Sequence, residues 1–563
     1  MKSEIVSALK VTGLDENALN ELIELPKEIS HGDYAFPCFV LAKTMKKNPV
    51  EIAREIVVKI GTPKGFEKVE AVGPYVNFFL DSKKNSVEIL QKIIKLKSEY
   101  GGSNVGKGKT IVLEFGSPNT NKPLHLGHVR NLSIGDSVSR ILSFNANKII
   151  KVSINNDRGV HICKSMIAYQ EFGKGTTPEK EGKKSDHFIG DYYVMFNKKT
   201  QENKEYEEKA LECLRKWEMN DTKTITLWKK MNKWAFDGFN ETYKKLGIEF
   251  DKEYYESKIY KKGKEIVELG LKKGIFNKNI DGAVVIDLQK EGLGEKVLLR
   301  ADGTSIYITQ DLYLAKLRDE EYKMDGGIYV VANEQEYHFK VLFEILKKLG
   351  FKFANKLYHL SYGMVELPEG KMKSREGTVV DADDLIEQMQ NMAKEELNKR
   401  EKLSKNEIEK RSLVIALAAL KYTMLKQDIR KNIVFNPKEA IHFEGDTGPY
   451  LLYSYARANS ILDKAKHKFS GKINVGSVQV NERALINELA RFPDLVIEAS
   501  KSLGPSGIAH YTHTLAQTFN EFYHSRQVIG SVDEKFRLCL VSCFTQVLGN
   551  ALKLLGISVL KEM

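Results

Sequence analysis

The sequence predicts an α/β protein: a doubly wound central domain with an insertion, a small α+β unit before it and an all-helical region after it. Three observations support this class. A β-rich run at 110–115 (TIVLEF) leads through a loop into helically spaced apolar residues at 133–145 (SIGDSVSRILSFN), and a strand-like run follows at 148–157 (KIIKVSINND). Strand, loop, helix and strand in this order open a doubly wound domain. Beyond about residue 385 the chain is almost entirely amphipathic helix.

Length and charge set broad limits on function. The 563 residues are enough for about two to four domains, each with a core of its own. The 87 basic residues against 75 acidic residues give a formal charge of +12. That charge permits a polyanionic partner without proving one, since a lysine-rich proteome gives similar values.

The cysteines and the start of the chain indicate the compartment. Cys38, Cys163, Cys213, Cys539 and Cys543 form no CxxC pair, so neither a zinc ribbon nor a disulfide framework is predicted. The first residues mix lysine with acidic residues and have no apolar core, which argues against a secretory signal or a transit peptide. The most apolar run, SLVIALAAL, is far shorter than a membrane span. We therefore expect a cytoplasmic protein without membrane contact.

Residues 1 to about 105 are predicted to form the small α+β unit. The stretch beginning GDYAFPCFVLAK favours a helix, and a second helix is expected to open at Pro49. The run VEAVGPYVNFFL alternates in the manner of a strand that ends at Asp81.

The central domain is expected to span 106–385, and the helical region 386–563. Between about 170 and 290 the alternation of strands and helices loosens into lysine- and glutamate-rich helical stretches, which we interpret as an insertion. Further strands and helices are then predicted in GAVVIDL, KVLLR, TSIYITQDLYLAKL, GGIYVVAN and YHFKVLFEILKKLGF.

Two histidines in the loop after the first strand, His125 and His128 of NTNKPLHLGHVRN, are candidate functional residues. They lie at i and i+3 where a helix opens, and a helix start offers free backbone N–H groups and a positive dipole end to an anion. The imidazoles can donate to phosphate oxygens, and Gly127 leaves room for a flat ring to stack on the backbone. The pattern suggests a nucleoside triphosphate. On the four residues His125-Leu126-Gly127-His128 alone, an ordinary surface loop is about as good an interpretation as a nucleotide site. A metal site is disfavoured, because no carboxylate or third histidine lies at ligand spacing.

A second motif downstream makes the first more specific. Together they resemble the class I aminoacyl-tRNA synthetases, whose "HIGH" signature reads His125-Leu126-Gly127-His128 here and whose "KMSKS" signature corresponds to the segment after YGMVELPEG. Two signatures in the right order are far more specific than one. That second segment reads Lys371-Met372-Lys373-Ser374-Arg375.

Within the class, the chain resembles the arginyl-tRNA synthetase family along nearly its whole length. The family's first motif is matched from Glu114 to Asn119, at Lys122-Pro123 and from His125 to Arg130. Its other segments resemble GDYAFPCFVLAK and VGPYVNFFL near the start, then DGTSIYITQDL, ANEQEYHF, FEGDTGPYLLYSYARANSIL and the C-terminal stretch from RLCLVSCF.

The resemblance implies a fold and a reaction. The expected fold is a Rossmann-type (HUP-like) catalytic domain, with an N-terminal domain that contacts the tRNA elbow and a helical anticodon-binding domain. The expected reaction activates L-arginine with ATP to arginyl-adenylate and transfers it to the 2′-hydroxyl of the terminal adenosine of arginine tRNA. Mg²⁺ is expected with ATP, no structural metal is expected in the protein, and a monomer is expected.

The resemblance also assigns roles to individual residues. For catalysis these are Lys122, His125, His128, Lys371 and Lys373; for ATP binding, His125, Gly127, His128, Lys371, Met372 and Ser374. For arginine binding they are Glu114, Ser117, Asn119, His128, Tyr307, Asp311 and Gln335. Aromatic and basic residues suited to stacking on tRNA bases are Tyr450, Tyr453, Arg457, Tyr523 and Arg526.

Purely structural roles remain open for some of these residues. Tyr307 could pack in the core and Asp311 could cap a helix. Otherwise, Tyr307 and Asp311 could reach one pocket from a strand end and the helix after it. Tyr450 and Tyr453 could simply pack between helices.

The sequence departs from the family pattern in three places. Ser374 stands where the second lysine of the KMSKS signature is expected, with Lys373 one place early. The resemblance implies that the lysine before HIGH, here Lys122, can substitute for it, and the sequence leaves both Lys122 and Lys373 open for this role. Residues 156–159 read Asn-Asp-Arg-Gly where the family often has Gly-Asp-Trp-Gly, and Gly116 replaces a serine.

Two other functions compete with this interpretation. A small-molecule nucleotidyltransferase shares the HxGH-type site but would not need the long helical region or the N-terminal unit. A synthetase-like protein without catalysis would be favoured if the signature histidines or the pocket acids were missing, and all are present.

Overall fold

The computed structural model describes residues 2–24, 26, 31–304, 306–368, 380–400, 403–465 and 478–563. The chain forms two compact units, each built from three chain segments. The larger unit comprises Gly101–Arg457, Phe492–Ala516 and Leu548–Met563, and the smaller comprises Met1–Tyr100, Ala458–Arg491 and Gln517–Val547.

The N-terminal part of the smaller unit is an antiparallel sheet of three strands with helices packed on it. The predicted helix start at Pro49 is confirmed: Asn48 caps it by accepting a hydrogen bond from the amide of Val50 at 2.9 Å. The sheet order is β1-β3-β2, with β1 Tyr34–Pro37, β2 Phe66–Val72 and β3 Tyr75–Leu80. The helices are α1 Lys2–Leu9, α2 Glu16–Leu22, α3 Phe39–Met45, α4 Pro49–Ile60 and α5 Ser82–Leu96.

The core of the larger unit is a parallel sheet of five strands, which confirms the predicted doubly wound α/β class. The first strand, β4 (Thr110–Glu114), is followed by helix α6 (Leu126–Phe144) and then by its neighbour β5 (Lys148–Asn155). Strand β6 (Lys252–Tyr255) pairs with β5 at one edge of the sheet.

Between β5 and β6 lie five helices, of which α7, α9 and α10 share an apolar core with α11. Residues 170–290 are therefore not one continuous insertion, because β6 belongs to the parallel sheet. A four-residue edge strand has too little periodicity to be distinguished from its helical surroundings in the sequence. The helices are α7 Val160–Phe172, α8 Pro178–Glu181, α9 Ser185–Glu202, α10 Glu205–Glu218 and α11 Thr222–Leu246.

After β6 come two helices and a small antiparallel sheet. The segments GAVVIDL and KVLLR do form strands, but in this antiparallel sheet, of order β7-β8-β9. Of the next segment, TSIYITQDLYLAKL, the part from Tyr307 onward is helical. The elements are α12 Glu256–Ile259, α13 Gly263–Lys272, β7 Asn277–Lys278, β8 Val284–Leu288, β9 Gly294–Leu299 and α14 Tyr307–Tyr322.

The parallel sheet is completed on the other side of β4. Strand β10 (Gly326–Ala332) pairs with β4, helix α15 (Glu336–Lys348) follows it, and β11 (Leu357–Tyr362) pairs with β10. The order β11-β10-β4-β5-β6 puts the reversal of strand order between β10 and β4. In doubly wound sheets a ligand crevice opens at the carboxyl ends of such a pair.

Beyond β11 the described residues form helices and connecting loops, together with the short parallel pair β12 (Val365–Glu366) and β13 (Ile433–Val434). Among the described residues no helix combines the length and apolar character that a membrane crossing requires. The helices are α16 Ala382–Arg400, α17 Lys405–Leu425, α18 Pro437–Ala440, α19 Gly448–Lys464, α20 Val480–Ser502, α21 Pro505–Ser525 and α22 Glu534–Leu554.

Candidate active site at the carboxyl end of the parallel sheet

The candidate site lies where β4 and β10 end. The loop after β4 carries Ser117, Asn119 and Lys122 and enters α6 at His125, while the turn after β10 ends at Gln335. Helix α14 precedes β10 in the chain and runs back along the sheet, so its first residues lie toward the same edge.

The two histidines of the first signature cap α6. His125 is the N-cap residue, and its Nδ1 accepts a hydrogen bond from the amide of Gly127 at 3.1 Å. The Nδ1 of His128 accepts from the amide of His125 at 3.1 Å, so the pair forms a capping box. The imidazole centroids lie 3.9 Å apart. The two rings are thus held side by side by the backbone that they cap.

The expectation of free backbone N–H groups at this helix start is wrong. The amides of His125 and Gly127 are taken by the imidazoles, the amide of Leu126 donates to the carbonyl of Val380, and that of His128 donates to the carbonyl of His125. An anion at this site therefore has to be held by side chains.

The remaining ring nitrogens are the donors that a phosphate needs. Burial, reinforced by the charge of Lys122, lowers the pKa of His125 to about 3. Burial also lowers the pKa of His128 well below its usual value, with smaller effects of His125 and Lys122. Both imidazoles are therefore neutral at pH 7, and because each Nδ1 accepts, each proton is on Nε2. The pair offers two Nε2–H donors without charge.

Lys122 supplies a positive charge beside the histidines, and burial lowers its pKa. The partner segment of the KMSKS signature, with Lys371, Met372, Lys373 and Ser374, lies outside the described residues. The chain that follows it pairs with residues 124–128, which carry His125 and His128 and are called the histidine turn below. The amide of Ala382 donates to the carbonyl of Leu124 at 2.9 Å, and the amide of Leu126 donates to the carbonyl of Val380 at 3.1 Å.

Tyr307 and Asp311 both lie at the start of α14, one turn apart on the same face. Tyr307 is therefore not at a strand end, and because it is 72% exposed it does not pack in the core. Asp311 lies in the second turn, so it is not the N-cap. One of its oxygens is 2.7 Å from Nε2 of His338 on α15. The phenol and the carboxylate form an open acidic corner that could hold a cation.

Glu114, at the end of β4, already has a cationic partner. Its carboxylate pairs with the guanidinium of Arg318, a side chain that is 1% exposed and lies over the rings of Tyr254 and Tyr329. Glu114 is thus held by an ion pair with a buried residue of α14, the helix that carries Tyr307 and Asp311.

The loop after β4 is held by its own polar contacts. Ser117 has a φ of 49°, its amide donates to Oγ of Ser153 at 3.1 Å, and its own Oγ accepts from the amide of Ile154. Gly116 has a φ of 87°, and a Cβ there would lie 3.0 Å from the ring of Phe250. The departure from serine at 116 therefore suits the local backbone.

An acidic residue that the sequence did not indicate lies nearby. Glu256 opens α12, and burial raises its pKa to about 7 against the opposing charge of Arg158. The Asp157 carboxylate accepts from the amide and hydroxyl of Ser257 at 2.8 and 2.6 Å. Arg158, in the place of the family's tryptophan, stacks 3.9 Å from the centroid of Tyr260. These partners are about 100 residues apart in sequence, so no local motif could have linked them.

The residues predicted to contact tRNA lie on two helices. On α19, Arg457 donates to the hydroxyl of Tyr453 at 2.9 Å, and the ring of Tyr450 lies 5.6 Å from that of His513. On α21, Tyr523 stacks at 6.4 Å on Phe519 and is 38% exposed. Arg526 follows the end of this helix and is partly buried.

Comparison with known proteins is consistent with this site. Residues 89–437 match the family described as tRNA synthetases class I (R), catalytic domain. Residues 451–563 match the DALR anticodon binding domain, and residues 1–80 match the arginyl tRNA synthetase N terminal domain. The fold and the domain matches are those of a class I tRNA synthetase.

Full-length relatives narrow the class. The chain is 48% identical to the arginine–tRNA ligase of Treponema denticola, with 96% of this chain and 94% of the relative covered. It is 44% identical to that of Phocaeicola vulgatus, covering 100% and 99%. The solved arginyl-tRNA synthetase of Thermus thermophilus is similar over 100% of this chain and 99% of its own, with a TM-score of 0.82 and 26% identity. The chain belongs to the arginine–tRNA ligase family, which confirms the resemblance drawn from the segments around the two signatures.

Proposed function

We propose that this protein is an arginine–tRNA ligase that activates L-arginine with ATP and transfers it to the 2′-hydroxyl of the terminal adenosine of arginine tRNA. One observation carries the proposal: two neutral Nε2–H donors lie at the start of α6, and a phenol and a carboxylate lie in the first turns of α14, at the same edge of the sheet. The first pair suits a phosphate chain and the second suits a guanidinium.

Activation needs no covalent protein nucleophile. The arginine carboxylate attacks the α-phosphate of ATP in line and expels pyrophosphate, so the protein contributes position and charge stabilisation. His125 and His128 donate to the phosphate oxygens through Nε2–H, and the Lys122 ammonium offsets the charge that develops. Gly127, with Lys371, Met372, Lys373 and Ser374, completes the proposed ATP site. Mg²⁺ is expected to arrive with ATP as the counter-ion of its phosphates, with no ligand assigned from the protein.

Arginine selectivity comes from the acidic corner. A guanidinium makes forked hydrogen bonds to the Asp311 carboxylate and reaches the hydroxyl of Tyr307. Ser117, Asn119, His128 and Gln335 are proposed to hold the α-amino and α-carboxyl groups, with Glu114 backing the head-group site through Arg318. A lysine ammonium would leave acceptors of this corner unpaired, which is costly when they are buried by substrate.

Arginine tRNA is the proposed macromolecular partner. Tyr450, Tyr453, Arg457, Tyr523 and Arg526 are proposed to contact its bases, and the N-terminal residues its elbow. Support comes from the DALR anticodon binding domain match over 451–563 and from a formal charge of +12. We propose that the protein works as a monomer in the cytoplasm.

ATP–pyrophosphate exchange tests the proposal. Purified protein should catalyse exchange only when both arginine and the matching tRNA are present, and lysine should not replace arginine. Exchange with another amino acid would change the proposed substrate, and exchange with a non-amino-acid carboxylate and no tRNA would favour a small-molecule nucleotidyltransferase. No exchange with any amino acid in the presence of tRNA would favour a non-catalytic synthetase-like protein.

The displaced lysine of the KMSKS signature has a separate test. If Lys122 takes its role, Lys122→Ala should lower the single-turnover activation rate by about 10²–10³-fold, while Ser374→Lys should change it little. Similar small losses in both variants would contradict the assignment of Lys122.

A further inference from the structure

A cluster of charged residues, buried or partly buried except for the exposed Lys245, lies behind the histidine turn and is separate from the groups proposed to touch substrates. We call it the anchor cluster, and it consists of Lys184, Asp186, His187, Lys245 and Asp383. Lys184, Asp186 and His187 lie at the start of α9, Lys245 is near the end of α11, and Asp383 is in the first turn of α16.

Asp383 is the centre of this cluster. Its carboxylate accepts hydrogen bonds from Nζ of Lys245 at 2.7 Å and from the hydroxyl of Thr242 at 2.6 Å, and Nζ of Lys184 lies 2.9 Å away. Lys184 also donates to both oxygens of Asp186, whose side chain is fully buried. Asp383 thus draws α9 and α11 onto the first turn of α16.

The anchor cluster is complete without a metal ion. Asp186, His187 and Asp383 offer ligand atoms within 4.8 Å of one another, which would suit a cation. The ammonium groups of Lys184 and Lys245 already lie against these carboxylates, however, and neutralise them. We therefore interpret the cluster as a structural link that holds α9 and α11 against the start of α16.

The connection ends at the histidine turn. The backbone amide of Asp383 donates a hydrogen bond to Oδ1 of Asp381 at 2.8 Å. Nε2 of His187 lies 3.0 Å from the same oxygen. Residues 380–382 in turn exchange two backbone hydrogen bonds with Leu124 and Leu126, on either side of His125. The position of His125 is therefore set by a segment that the anchor cluster holds from the other side.

We propose that Asp383, together with Lys245 and His187, is a positioning residue for the adenylation step, acting by holding residues 380–382 against the turn that carries His125 and His128. This inference rests on the proposed function for its kinetic consequence, but not for its structural one. Loosening the anchor cluster shifts the two Nε2–H donors relative to the phosphates. It leaves the acidic corner on α14 unchanged, because that corner is held by other contacts. A displacement of about 1 Å at a reacting centre is enough to slow a reaction by about 10²-fold.

Lys245 offers a matched pair of variants. Lys245→Met removes the ammonium that binds Asp383, while Lys244→Met makes the same change about 100° further round α11, where Lys244 lines a different groove with Glu249 and Phe250. Lys245→Arg keeps the charge and should behave like the unmodified protein.

Steady-state exchange kinetics give the first measurement. In Lys245→Met, and more strongly in Asp383→Asn, kcat/KM for ATP should fall by about tenfold or more. The KM for arginine should rise by less, because His128 is the only proposed arginine ligand on the displaced turn and the acidic corner stays in place. Lys244→Met and Lys245→Arg should show neither change. Equal losses in Lys245→Met and Lys244→Met, or an equal loss of affinity for arginine, would overturn the proposal.

Hydrogen exchange gives a second measurement that does not depend on activity. The amides of Leu126 and Ala382 should exchange about tenfold faster or more in Asp383→Asn and Lys245→Met, and at the original rate in Lys244→Met. Unchanged protection of these amides would overturn the proposal even in an active enzyme. The unmodified protein could show no arginine-dependent ATP–pyrophosphate exchange while hydrogen exchange at these two amides changes as expected. In that case the proposed function fails and the positioning role stands.

Discussion

The two nitrogens of His125 have different tasks. Nδ1 caps α6 by accepting from the amide of Gly127, and Nε2–H is left to donate to a ligand. One side chain therefore contributes both to folding of the helix start and to the proposed chemistry, and substitutions can separate these contributions.

We expect His125→Asn to keep most of the cap and lose the donor, since asparagine is among the best N-cap residues. Its midpoint of thermal unfolding should stay near that of the unmodified protein, while single-turnover activation falls by about 10²–10³-fold. His125→Ala should lose activity to the same extent and in addition lose about 1 kcal/mol of stability. Equal activity of the unmodified protein and His125→Asn would show that the cap alone matters.

His338 contacts Asp311, the residue proposed to bind the guanidinium of arginine. Because its Nε2 lies 2.7 Å from the carboxylate, it fixes the rotamer of Asp311 before substrate arrives. We expect His338→Ala to raise the KM for arginine by about fivefold to tenfold with little change in the KM for ATP. Lys340→Ala, on the exposed side of the same helix, is the control. An unchanged KM for arginine in His338→Ala would mean that this contact does not orient Asp311.

His187 makes stability depend on pH. Burial alone would lower its pKa, but the Asp381, Asp383 and Asp186 carboxylates raise it to about 10. The other charges near it belong to Lys184, Lys245 and Asp384.

A histidine whose pKa is higher in the folded than in the unfolded protein stabilises the folded state. This stabilisation is complete below the unfolded pKa of about 6.5 and is lost as the pH rises to the folded pKa of about 10. The midpoint of thermal unfolding should fall more steeply over that range in the unmodified protein than in His187→Gln. Parallel curves for the two proteins would contradict a protonated His187.

At the scale of elements, Gly135 allows α6 to pack close to the sheet because it has no side chain. A Cβ at Gly135 would lie 2.3 Å from the ring of Phe115, which follows β4 and packs 4.8 Å from the ring of Phe250. The close approach lets the signature histidines at the start of α6 lie directly over the end of β4.

We expect Gly135→Ala to destabilise the larger unit by about 1–3 kcal/mol through overpacking and to lower exchange activity by moving α6. Gly507→Ala is the matched control, because it also lies in a helix and its new Cβ would meet an atom only at 3.9 Å. That variant should be neutral or more stable by up to about 1 kcal/mol. Similar thermal midpoints for both variants would mean that the ring of Phe115 can move aside.

At the scale of the whole molecule, the smaller unit joins the N-terminal residues to helices from the far end of the chain. Asp33, 8% exposed, accepts from the side-chain amide of Asn487 at 2.9 Å and pairs with Arg483. The hydroxyl of Tyr100 donates to the carbonyl of Leu489 at 2.9 Å. The N-terminal part of this unit therefore depends on residues 389 to 454 positions away in the sequence.

Asp33→Ala should lower the free energy of unfolding by about 1–3 kcal/mol, because it leaves the guanidinium of Arg483 and the side-chain amide of Asn487 without this acceptor. Hydrogen exchange in α20 should speed up around 483–489. Glu70→Ala, which removes an exposed pair with Lys68, should cost no more than about 1 kcal/mol. Equal effects of the two substitutions would show that Asp33 is not part of the core of this unit.

Local patterns were sufficient where the information is contiguous. The strand, loop and helix around His125 and His128, the helix start at Pro49 and the α/β class follow from periodicity and capping within short windows, and the structure confirms them. The edge strand β6 and the helical start at Tyr307 did not follow, because a few residues beside an insertion or a turn carry too little periodic signal.

By itself, the sequence determined the fold class, the family and the identity of the residues proposed to bind substrate, since each rests on motifs whose members are neighbours in the chain. Only the tertiary structure decided that Glu114 is paired with Arg318, that His338 orients Asp311, and that Asp383 connects two insertion helices to the histidine turn. The physical reason is the same in each case. A buried charge must find its partner in space, and the partner that folding supplies is set by which helices pack together and not by distance along the chain.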